Sequence, residues 1–522
     1  MSSHDTQAAR SDKHSDARYY IKTFGCQMNK HDSEVAAGLL EAQGLLPAPS
    51  VEDADLIVFL TCCVRENADE RLRGQVASLK HLKTSRYQPG VSDKANQGFE
   101  SRAEVSGVTP VPEAVGSNNA ELRSQRLQAP MIAVGGCIAQ RDGEDLLDAL
   151  PHVDIVFGTH NIESLPNLYK EAMEKRSRAE DANSYVPWRP DATVEVKEET
   201  DSFAADLPTT REHAWHAWLP ITQGCDNFCT YCIVPYVRGA ERSRPLEDVV
   251  AQAQSLVADG VLEITLLGQN VNSYGRDLPD NESGKPLFAE VLKAVAATGV
   301  KRLGFATSHP KDLLPETIEV MAQTPSILHH LHLPVQSGSN KVLDDMGRCY
   351  TREEYLDLVA RLRKAIPNIT LSTDMIVGFP GESDSDFEGS LALAQEVVFD
   401  QMFTFLYSKR EGTPAATMDG EVPADIAQKR FDRLVECVQS SALACNERLV
   451  GSVQEVLIEG ASKRDKNMMT GRTFGAKVIH VPLPENKDIE DFAGQIVSAR
   501  VTKASNWFLL GELYLDQEGQ KD

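Results

Sequence analysis

The chain has 522 residues, of which 41% are apolar and 25% charged, and its formal net charge is −24. This composition excludes a wholly disordered, collagen-like or coiled-coil protein, and the length predicts two to four domains. The acidic excess argues against a general phosphate-binding surface, so any contact with nucleic acid has to come from local basic patches.

The first residues, Met1 to Arg18, are charged and polar and contain no apolar run, which argues against a secretory signal. No stretch of the sequence reaches the roughly 18 continuous apolar residues that a membrane-spanning helix needs. We therefore expect a disordered tail over 1–18, no membrane association and a cytoplasmic protein. In a reducing cytosol, clustered cysteines among the ten of this chain are expected to be metal ligands or catalytic groups.

Residues 19–170 alternate short apolar runs with helical patterns, which predicts a small α/β domain with a parallel sheet. A polar stretch over 84–128 is predicted to be a disordered insertion. The segment 171–214, which carries an acidic run, is interpreted as an interdomain linker. The elements expected in this domain are strands Tyr19–Phe24, Leu56–Leu60, Met131–Val134 and Asp154–Gly158 and a helix Ser33–Gln43.

From 215 to 446 strands and helices alternate regularly. Six successive βα units predict a partial (β/α)6 barrel of the TIM type, with its site at the carboxyl ends of the strands. The expected strands are Trp218–Thr222, Glu263–Gly268, Arg302–Thr307, His329–Pro334, Thr370–Val377 and Met402–Tyr407, and helices are expected at Leu246–Asp259, Leu287–Thr298, Arg352–Ala365 and Asp384–Val397.

Residues 447–513 change to short apolar runs that predict a small β-barrel, followed by a tail over 514–522. The expected strands are Val453–Glu459, Lys477–Val481, Gln495–Val501 and Trp507–Glu512. One loop of this barrel forms the most basic surface of an otherwise acidic chain, and the alternative is that its charges are merely solvated. The loop residues are Lys463, Arg464, Lys466, Arg472 and Lys477.

Three cysteines, Cys225, Cys229 and Cys232, form a CxxxCxxC motif directly after the strand Trp218–Thr222. Three thiolates at this spacing can hold one [4Fe–4S] cluster and leave one iron open to chelate S-adenosylmethionine. One electron then cleaves the S–C5′ bond and yields the 5′-deoxyadenosyl radical. A zinc knuckle is the simpler alternative, but structural zinc sites require four closed ligands and no second CxxC pair lies nearby.

The stretch 224–239, which reads GCDNFCTYCIVPYVRG, resembles the radical S-adenosylmethionine methylthiotransferase family. The segment TFGCQMN and the small C-terminal barrel resemble the branch of that family that modifies tRNA. The family-like blocks cover the chain from about 19 to 510 and include Thr23–Asn29, Thr61–Arg65, Val134–Gln140, Leu267–Asn272, Leu333–Ser339 and Thr373–Glu382.

This resemblance implies an N-terminal methylthiotransferase domain, a radical SAM barrel and a TRAM-like RNA-binding barrel. It implies methylthiolation at C2 of N6-isopentenyladenosine, immediately 3′ of the anticodon of tRNA, with two molecules of S-adenosylmethionine and two [4Fe–4S] clusters. The expected partners are a tRNA that already carries the isopentenyl group and an electron donor such as flavodoxin or ferredoxin, and the chain is expected to be a monomer.

Three further cysteines, Cys26, Cys62 and Cys137, each follow a predicted strand of the first domain. From the residues alone, scattered cysteines of this kind are more often buried core thiols than ligands. The resemblance implies that they hold the second, auxiliary cluster. We interpret Cys63 as a packing thiol, and note that Leu60 stands where the family commonly has asparagine. The remaining cysteines, Cys349, Cys437 and Cys445, are expected to be core thiols.

Polar residues at the ends of the predicted barrel strands are candidates to bind S-adenosylmethionine, although such residues are usually caps and turn formers. Arg348 and Tyr350 stand where the family has a basic residue and a tyrosine, and Phe474 stands where it has asparagine after Gly471–Thr473. The cofactor candidates are Gln269, Asn270, Ser308, His309, Gln336, Ser337 and Asp374.

Two alternatives keep the same chemistry and change the substrate, either to threonylcarbamoyladenosine in tRNA or to an aspartate of a ribosomal protein. A third belongs to another class, a non-catalytic iron–sulfur protein that binds RNA or senses redox state. Anaerobic cleavage of S-adenosylmethionine to 5′-deoxyadenosine would exclude this third alternative.

Overall fold

The computed structural model describes residues 17–62, 66–85, 129–198 and 203–514. Most of the two predicted tails and of the predicted insertion, together with Cys63, lie outside these ranges, while Arg18, predicted in the first tail, opens the first strand. The chain divides into two compact units, one formed by residues up to 200 with 207–210, the other by 201–206 and 211 onwards. In the described ranges no helix is both long and apolar enough to cross a membrane.

The first unit is built on a parallel sheet of six strands in the order β2-β1-β3-β4-β5-β6, which confirms the predicted α/β class. The two central strands read LIVFLT and MIAVGG and are buried along their whole length, as in parallel sheets covered on both faces. The strands are β1 (Arg18–Thr23), β2 (Leu46–Pro47), β3 (Leu56–Thr61), β4 (Met131–Gly136), β5 (Ile155–Phe157) and β6 (Thr193–Glu195), and the helices are α1 (Gln27–Glu41), α2 (Glu66–Ser78), α3 (Lys80–Ser85), α4 (Cys137–Asp142), α5 (Leu146–Ala149) and α6 (Leu165–Asp181).

Two predictions for this unit are corrected. The helix expected from Ser33 begins at Gln27. Its first turns have a mostly polar sequence, which gives no apolar periodicity from which to predict them. The segment 171–214, predicted as a linker, begins inside α6 and later contributes strand β6, which pairs with β5 at the edge of the sheet. A strand of three residues next to an acidic run leaves no periodicity from which to predict it.

The second unit begins with six parallel strands, which form two hydrogen-bonded sets, β7-β10-β11 and β12-β13-β14. A parallel bridge between Leu303 and Ile327 connects the sets, and this arrangement confirms the predicted partial barrel. The strands are β7 (His216–Pro220), β10 (Glu263–Leu267), β11 (Arg302–Phe305), β12 (His330–His332), β13 (Thr370–Val377) and β14 (Gln401–Leu406), and a two-stranded ribbon β8 (Thr222–Gln223) and β9 (Arg242–Ser243) follows β7.

Helices cover the outside of this barrel and bury its aliphatic core. Three of them begin at the residues that the sequence predicts, and in two of these a capping box fixes the N-terminus, Thr351 with Glu354 and Ser383 with Asp386. The helices are α7 (Val234–Arg238), α8 (Leu246–Ala258), α9 (Phe288–Ala296), α10 (Pro315–Gln323), α11 (Asn340–Asp345), α12 (Arg352–Ala365), α13 (Asp384–Val397) and α14 (Ala424–Glu447).

Five strands after α14 form a closed barrel in the order β15-β16-β17-β19-β18, as the sequence predicts for this segment. The prediction missed β16, which occupies part of the segment interpreted as a basic loop. Its sequence MMTGRT has a central glycine and weak alternation, so the strand pattern is poor. The strands are β15 (Val453–Ala461), β16 (Met468–Thr473), β17 (Val478–Pro482), β18 (Ile496–Ala504) and β19 (Leu509–Leu513).

The small barrel packs against the amino-terminal ends of the six parallel strands. Arg302, the first residue of β11, is buried and donates to Glu263 (2.7 Å), to Glu455 (3.1 Å) and to the carbonyl of Thr473 (2.9 Å). The ring of Phe474 lies 5.6 Å from the Arg302 guanidinium and 5.2 Å from the ring of His329. Phe474, which departs from the family pattern, therefore contributes to the joint between the two barrels.

Replacing Arg302 by methionine should lower the free energy of unfolding of the second unit by about 3 kcal/mol, because the buried Glu263 carboxylate loses its partner. Denaturant unfolding followed by tryptophan fluorescence measures the change. The matched control is Arg361→Met, since Arg361 makes an exposed i,i+4 pair with Asp357 and should change stability by less than about 0.5 kcal/mol. Equal effects of the two variants would contradict the role given to Arg302.

Candidate functional site

The CxxxCxxC loop follows β8 at the carboxyl end of the first barrel strand, and a tight backbone turn fixes its start. Gly224 has φ +77°, and a Cβ at this position would lie 1.9 Å from the carbonyl oxygen of Ala240. The backbone N–H of Cys225 donates to the Gly239 carbonyl (3.2 Å), and that of Cys232 donates to the Cys229 carbonyl (2.9 Å). These contacts hold the loop against the β8–β9 ribbon.

The three thiols of this loop lie close enough to influence one another. Burial, together with the charge of Cys229, raises the pKa of the Cys232 thiol to about 12. Burial, with a smaller effect of Glu241, raises the pKa of the Cys225 thiol to about 11. Without metal the Cys225 and Cys232 thiols are protonated at neutral pH, so metal binding has to displace their protons.

The donor set fits a cluster better than a single ion. Across the described ranges, no three His, Cys, Asp or Glu side chains are grouped so that they could hold one metal ion. A tetrahedral zinc site needs four ligands within about 2.0–2.3 Å of the metal. A cubane of four irons and four sulfides is larger than one ion, and three neighbouring thiols are the ligand set that leaves one of its irons open.

Six of the seven predicted cofactor residues make polar contacts within the protein. The side-chain oxygen Oε1 of Gln269 accepts from the backbone N–H of Gly224 (2.8 Å), so Gln269 supports the cysteine loop. Ser337 contacts Ser390 (3.3 Å), and Asp374 lies 3.5 Å from His332. Gln336 has φ +72°, and its backbone bridges to β13 through Asp374 and Ile376. These contacts are all with the protein itself, so cofactor binding by these side chains stays a prediction.

Buried polar atoms without a hydrogen-bond partner indicate a ligand site at the carboxyl end of the barrel. Among the described residues, Ser308 Oγ, Asn270 Oδ1 and Thr222 Oγ1 are buried and make no hydrogen bond. The same holds for both amide atoms of Asn272, whose side chain is fully buried. Leaving such groups unsatisfied costs about 1–3 kcal/mol each, so this site is suited to a polar ligand. Sequence reasoning did not select Thr222 or Asn272.

His309 lies beside these residues as a neutral ring. Burial, and then the positive charge of Arg348, depress its pKa far below the ordinary range. One ring nitrogen accepts from the backbone N–H of Lys311 (3.3 Å), and the ring meets Tyr350 edge-on at 5.7 Å. A neutral His309 can line a pocket for a cationic cofactor without repelling it.

An acidic group lies at the same end of the barrel. Burial raises the pKa of Glu241 to about 7, and Asp226, Asp312 and Asp277 add to the increase while Ser273 opposes it. Asp312 is fully buried and accepts from Asn270 (2.6 Å) and from Arg276 (2.7 Å). A positively charged ligand would be stabilised at this end of the barrel. Glu241 lies outside any spacing that the sequence analysis used.

The other three cysteines, Cys26, Cys62 and Cys137, follow three neighbouring strands of the first unit, β1, β3 and β4. Thr61 and Gly136 are partners in register, and Cys62 and Cys137 come directly after them. Because neighbouring strands are about 4.8 Å apart, these two cysteines leave the sheet side by side. Cys26 is the N-cap residue of α1, three residues beyond β1.

A hydrogen-bond network joins the three cysteine segments. The buried amide of Asn29 donates to the carbonyls of Phe24 (3.1 Å) and Thr61 (2.7 Å), and its oxygen accepts from Cys26 Sγ (3.4 Å). The Thr61 hydroxyl donates to the Gly135 carbonyl (2.7 Å) and accepts from the backbone N–H of Ile138 (3.2 Å). The network fixes the backbone on both sides of the cysteines.

The close approach of two backbone segments in this network requires glycine at position 25. Gly25 has φ +116°, and a Cβ there would lie 2.1 Å from the Cβ of Cys62. The segments that carry Cys26 and Cys62 are therefore in direct contact. Cys26 also lies at the N-terminus of the fifteen-residue helix α1, whose dipole favours a thiolate.

The remaining cysteines differ in exposure. Cys445 is buried, with Sγ 3.7 Å from the Val398 carbonyl, and Cys437 packs at the margin of the barrel core. Cys349 is exposed, so its prediction as a core thiol is wrong. The reason is that it lies in the turn after α11, where Sγ points towards the Gly347 carbonyl at 4.0 Å.

The predicted basic loop is smaller than expected. Lys463, Arg464 and Lys466 are exposed on the connection between β15 and β16. Arg472 belongs to β16 and pairs with Glu459 (2.7 Å). Lys477 is largely buried and pairs with Asp400 (2.6 Å) at the joint with the larger barrel. The last two charges are thus already compensated within the protein.

Comparisons with known proteins match three parts of the chain. Residues 219–394 match the radical SAM superfamily, residues 18–92 match the uncharacterized protein family UPF0004, and residues 447–514 match the TRAM domain.

Curated relatives match over nearly the full length and carry the name tRNA-2-methylthio-N(6)-dimethylallyladenosine synthase. The protein of Carboxydothermus hydrogenoformans is 42% identical over 498 residues, covering 95% of this chain and 99% of its own. That of Clostridium botulinum (strain Langeland) is 41% identical, covering 95% and 96%. That of Natranaerobius thermophilus is 39% identical, covering 96% and 97%.

Proposed function

The chain belongs to the family of the tRNA-2-methylthio-N(6)-dimethylallyladenosine synthases, and on this basis we propose that it methylthiolates C2 of N6-isopentenyladenosine immediately 3′ of the anticodon in tRNA. The observation that carries the proposal is the presence in one chain of two three-cysteine sets. Each set follows strands of a parallel sheet at their carboxyl ends. The C2–H bond of adenine is strong and not acidic, so a radical rather than a base has to remove this hydrogen.

In this proposal Cys225, Cys229 and Cys232 hold a [4Fe–4S] cluster with one open iron. When bound, the cluster supplies the electron that cleaves S-adenosylmethionine. The unsatisfied groups of Asn270, Asn272 and Ser308 would bind polar atoms of that cofactor. The acidic group around Glu241 would stabilise its positive charge.

The first unit would hold the auxiliary cluster through Cys26, Cys62 and Cys137. Asn29 and Thr61 would keep the three segments at fixed separation while the cluster is loaded and used. A cluster with one open iron there would carry the sulfur that is methylated and transferred.

The substrate side of the proposal is a tRNA that already carries the isopentenyl group. Lys463, Arg464 and Lys466 would contact its phosphates, and the target base would be unstacked into the barrel mouth. We further propose a cytoplasmic monomer that receives electrons from a flavodoxin or ferredoxin.

Nucleoside mass spectrometry of tRNA tests this proposal. Cells that lack the gene should lose the 2-methylthio nucleoside and accumulate the isopentenyl nucleoside, and the intact gene should restore the product while a Cys229→Ala version should not. Unchanged isopentenyl-derived nucleosides would contradict the proposal. Loss of the methylthio form of threonylcarbamoyladenosine, or of an aspartate modification in a ribosomal protein, would then identify the substrate.

A further inference from the structure

A buried cation lies beside the central cysteine of the CxxxCxxC loop. Arg348 is 7% exposed and follows Gly347, whose φ of +69° makes the turn after α11. Its guanidinium donates to the Pro334 carbonyl (2.7 Å), to the Tyr350 hydroxyl (2.9 Å) and to Cys229 Sγ (3.5 Å). In the described part of the chain, Arg348 forms no ion pair with a carboxylate.

Three other buried arginines of this unit are paired with carboxylates. Arg244 pairs with Asp206 (2.9 Å), Arg302 with Glu263 (2.7 Å) and Arg430 with Glu382 (2.8 Å). Each therefore has a carboxylate to offset its charge. Burying a guanidinium without a counter-charge costs several kcal/mol, so Arg348 requires an anion that is not one of the described carboxylates.

The neighbouring phenol does not supply this anion. The Tyr350 hydroxyl donates its own hydrogen to the Val335 carbonyl (2.9 Å) and accepts from Arg348, which is the pattern of a neutral phenol. Of the groups to which the Arg348 guanidinium donates a hydrogen bond, the other one that can become negative is Cys229. A thiolate that ligates an iron–sulfur cluster, with the sulfides behind it, carries the charge that Arg348 lacks.

We propose that Arg348 is a positioning residue of the CxxxCxxC cluster, which holds Cys229 Sγ and offsets the negative charge that the cluster gains on one-electron reduction. This inference rests on the proposed function, because it assumes that Cys229 ligates a cluster. The electron comes from the low-potential donor and stays on the cluster, so no proton or leaving group moves. A fixed cation at hydrogen-bond distance from a ligand sulfur raises the reduction potential.

The test uses the full chain with Cys26, Cys62 and Cys137 replaced by alanine, so that one cluster remains. It is reconstituted anaerobically, titrated with dithionite and followed by EPR. Arg348→Gln should keep its iron and lower the ratio of reduced to oxidised cluster at a fixed potential at least tenfold, which is about 59 mV for a one-electron couple. Arg348→Lys, which retains the charge, should stay within tenfold of the parent.

The matched control is Arg361→Gln, which changes the same functional group on an exposed helix face. If Arg348→Gln retains iron with the potential and EPR spectrum of the control, the inference is overturned. If Arg348→Gln takes up no iron, the reduction potential of the cluster in Arg348→Lys is the test. A potential like that of the parent chain supports the inference, and a shifted potential overturns it. A parent chain that holds no iron at this loop would overturn the proposed function together with the inference.

Discussion

Replacing Cys229 by alanine should lower the reductive cleavage of S-adenosylmethionine at least about 1,000-fold, to the background rate. Cys229 is the middle ligand of the motif and is buried, with 7% of its surface exposed, so neither solvent nor a neighbouring thiol can take its place. The two remaining cysteines, Cys225 and Cys232, would leave two irons without protein ligands, and such a cluster is not retained. Anaerobic detection of 5′-deoxyadenosine after addition of dithionite measures the effect.

The control for this prediction is Cys349→Ala, which removes an exposed thiol near the same loop and should leave the rate unchanged. Iron content should fall by about four atoms per chain in the Cys229 variant alone. Cleavage at the normal rate by the Cys229 variant would show that the cofactor site is elsewhere.

Replacing Cys62 by alanine should separate the two halves of the reaction. Cys62 is 1% exposed at the end of the central strand β3, and it lies between the segments of Cys26 and Cys137. We expect the methylthio product to fall to background while the cleavage of S-adenosylmethionine persists, because the CxxxCxxC loop belongs to the other unit. One assay can measure both, by counting 5′-deoxyadenosine and methylthiolated nucleoside from the same reaction.

A buried cysteine outside both sets, Cys445, provides the matched control, since Cys445→Ala removes the same atoms from a buried position. The control should form product at the normal rate. If Cys62→Ala still forms product, or if it loses cleavage as well, the assignment of an auxiliary cluster to this edge of the sheet is wrong.

Long periodic elements could be predicted from the sequence, and short or polar ones could not. Strand β13 and helices α12 and α13 coincide with their predicted bounds, because an apolar run marks the strand and a capping box marks the start of each helix. Strands β6 and β16 were missed because each is short or interrupted by glycine and depends on pairing with a distant strand. Such pairing leaves no local pattern.

The cysteines of the candidate site could be selected from spacing and resemblance, but the groups around them could not. Glu241 and Thr222 acquire their environment from strands and loops that are distant in sequence. Arg348 was noted only as a position in a motif, and its contact with Cys229 spans 119 residues. For Arg472 and Lys477 the sequence predicts free positive charges, but in the fold each of them pairs with a carboxylate.

The contacts of Arg302 fix the distance between the small barrel and the carboxyl-terminal end of the larger barrel. The small barrel is fixed at the amino-terminal ends of the parallel strands, and the CxxxCxxC loop lies at the opposite, carboxyl-terminal end of the first of them. Strands of about five residues separate these ends by roughly 15 Å. An RNA that touches the small barrel while one of its bases enters the larger one has to span this distance along the outside of the protein. Under the proposed function, this fixed distance would favour a base at a set position along a folded RNA over the same base in a free nucleoside.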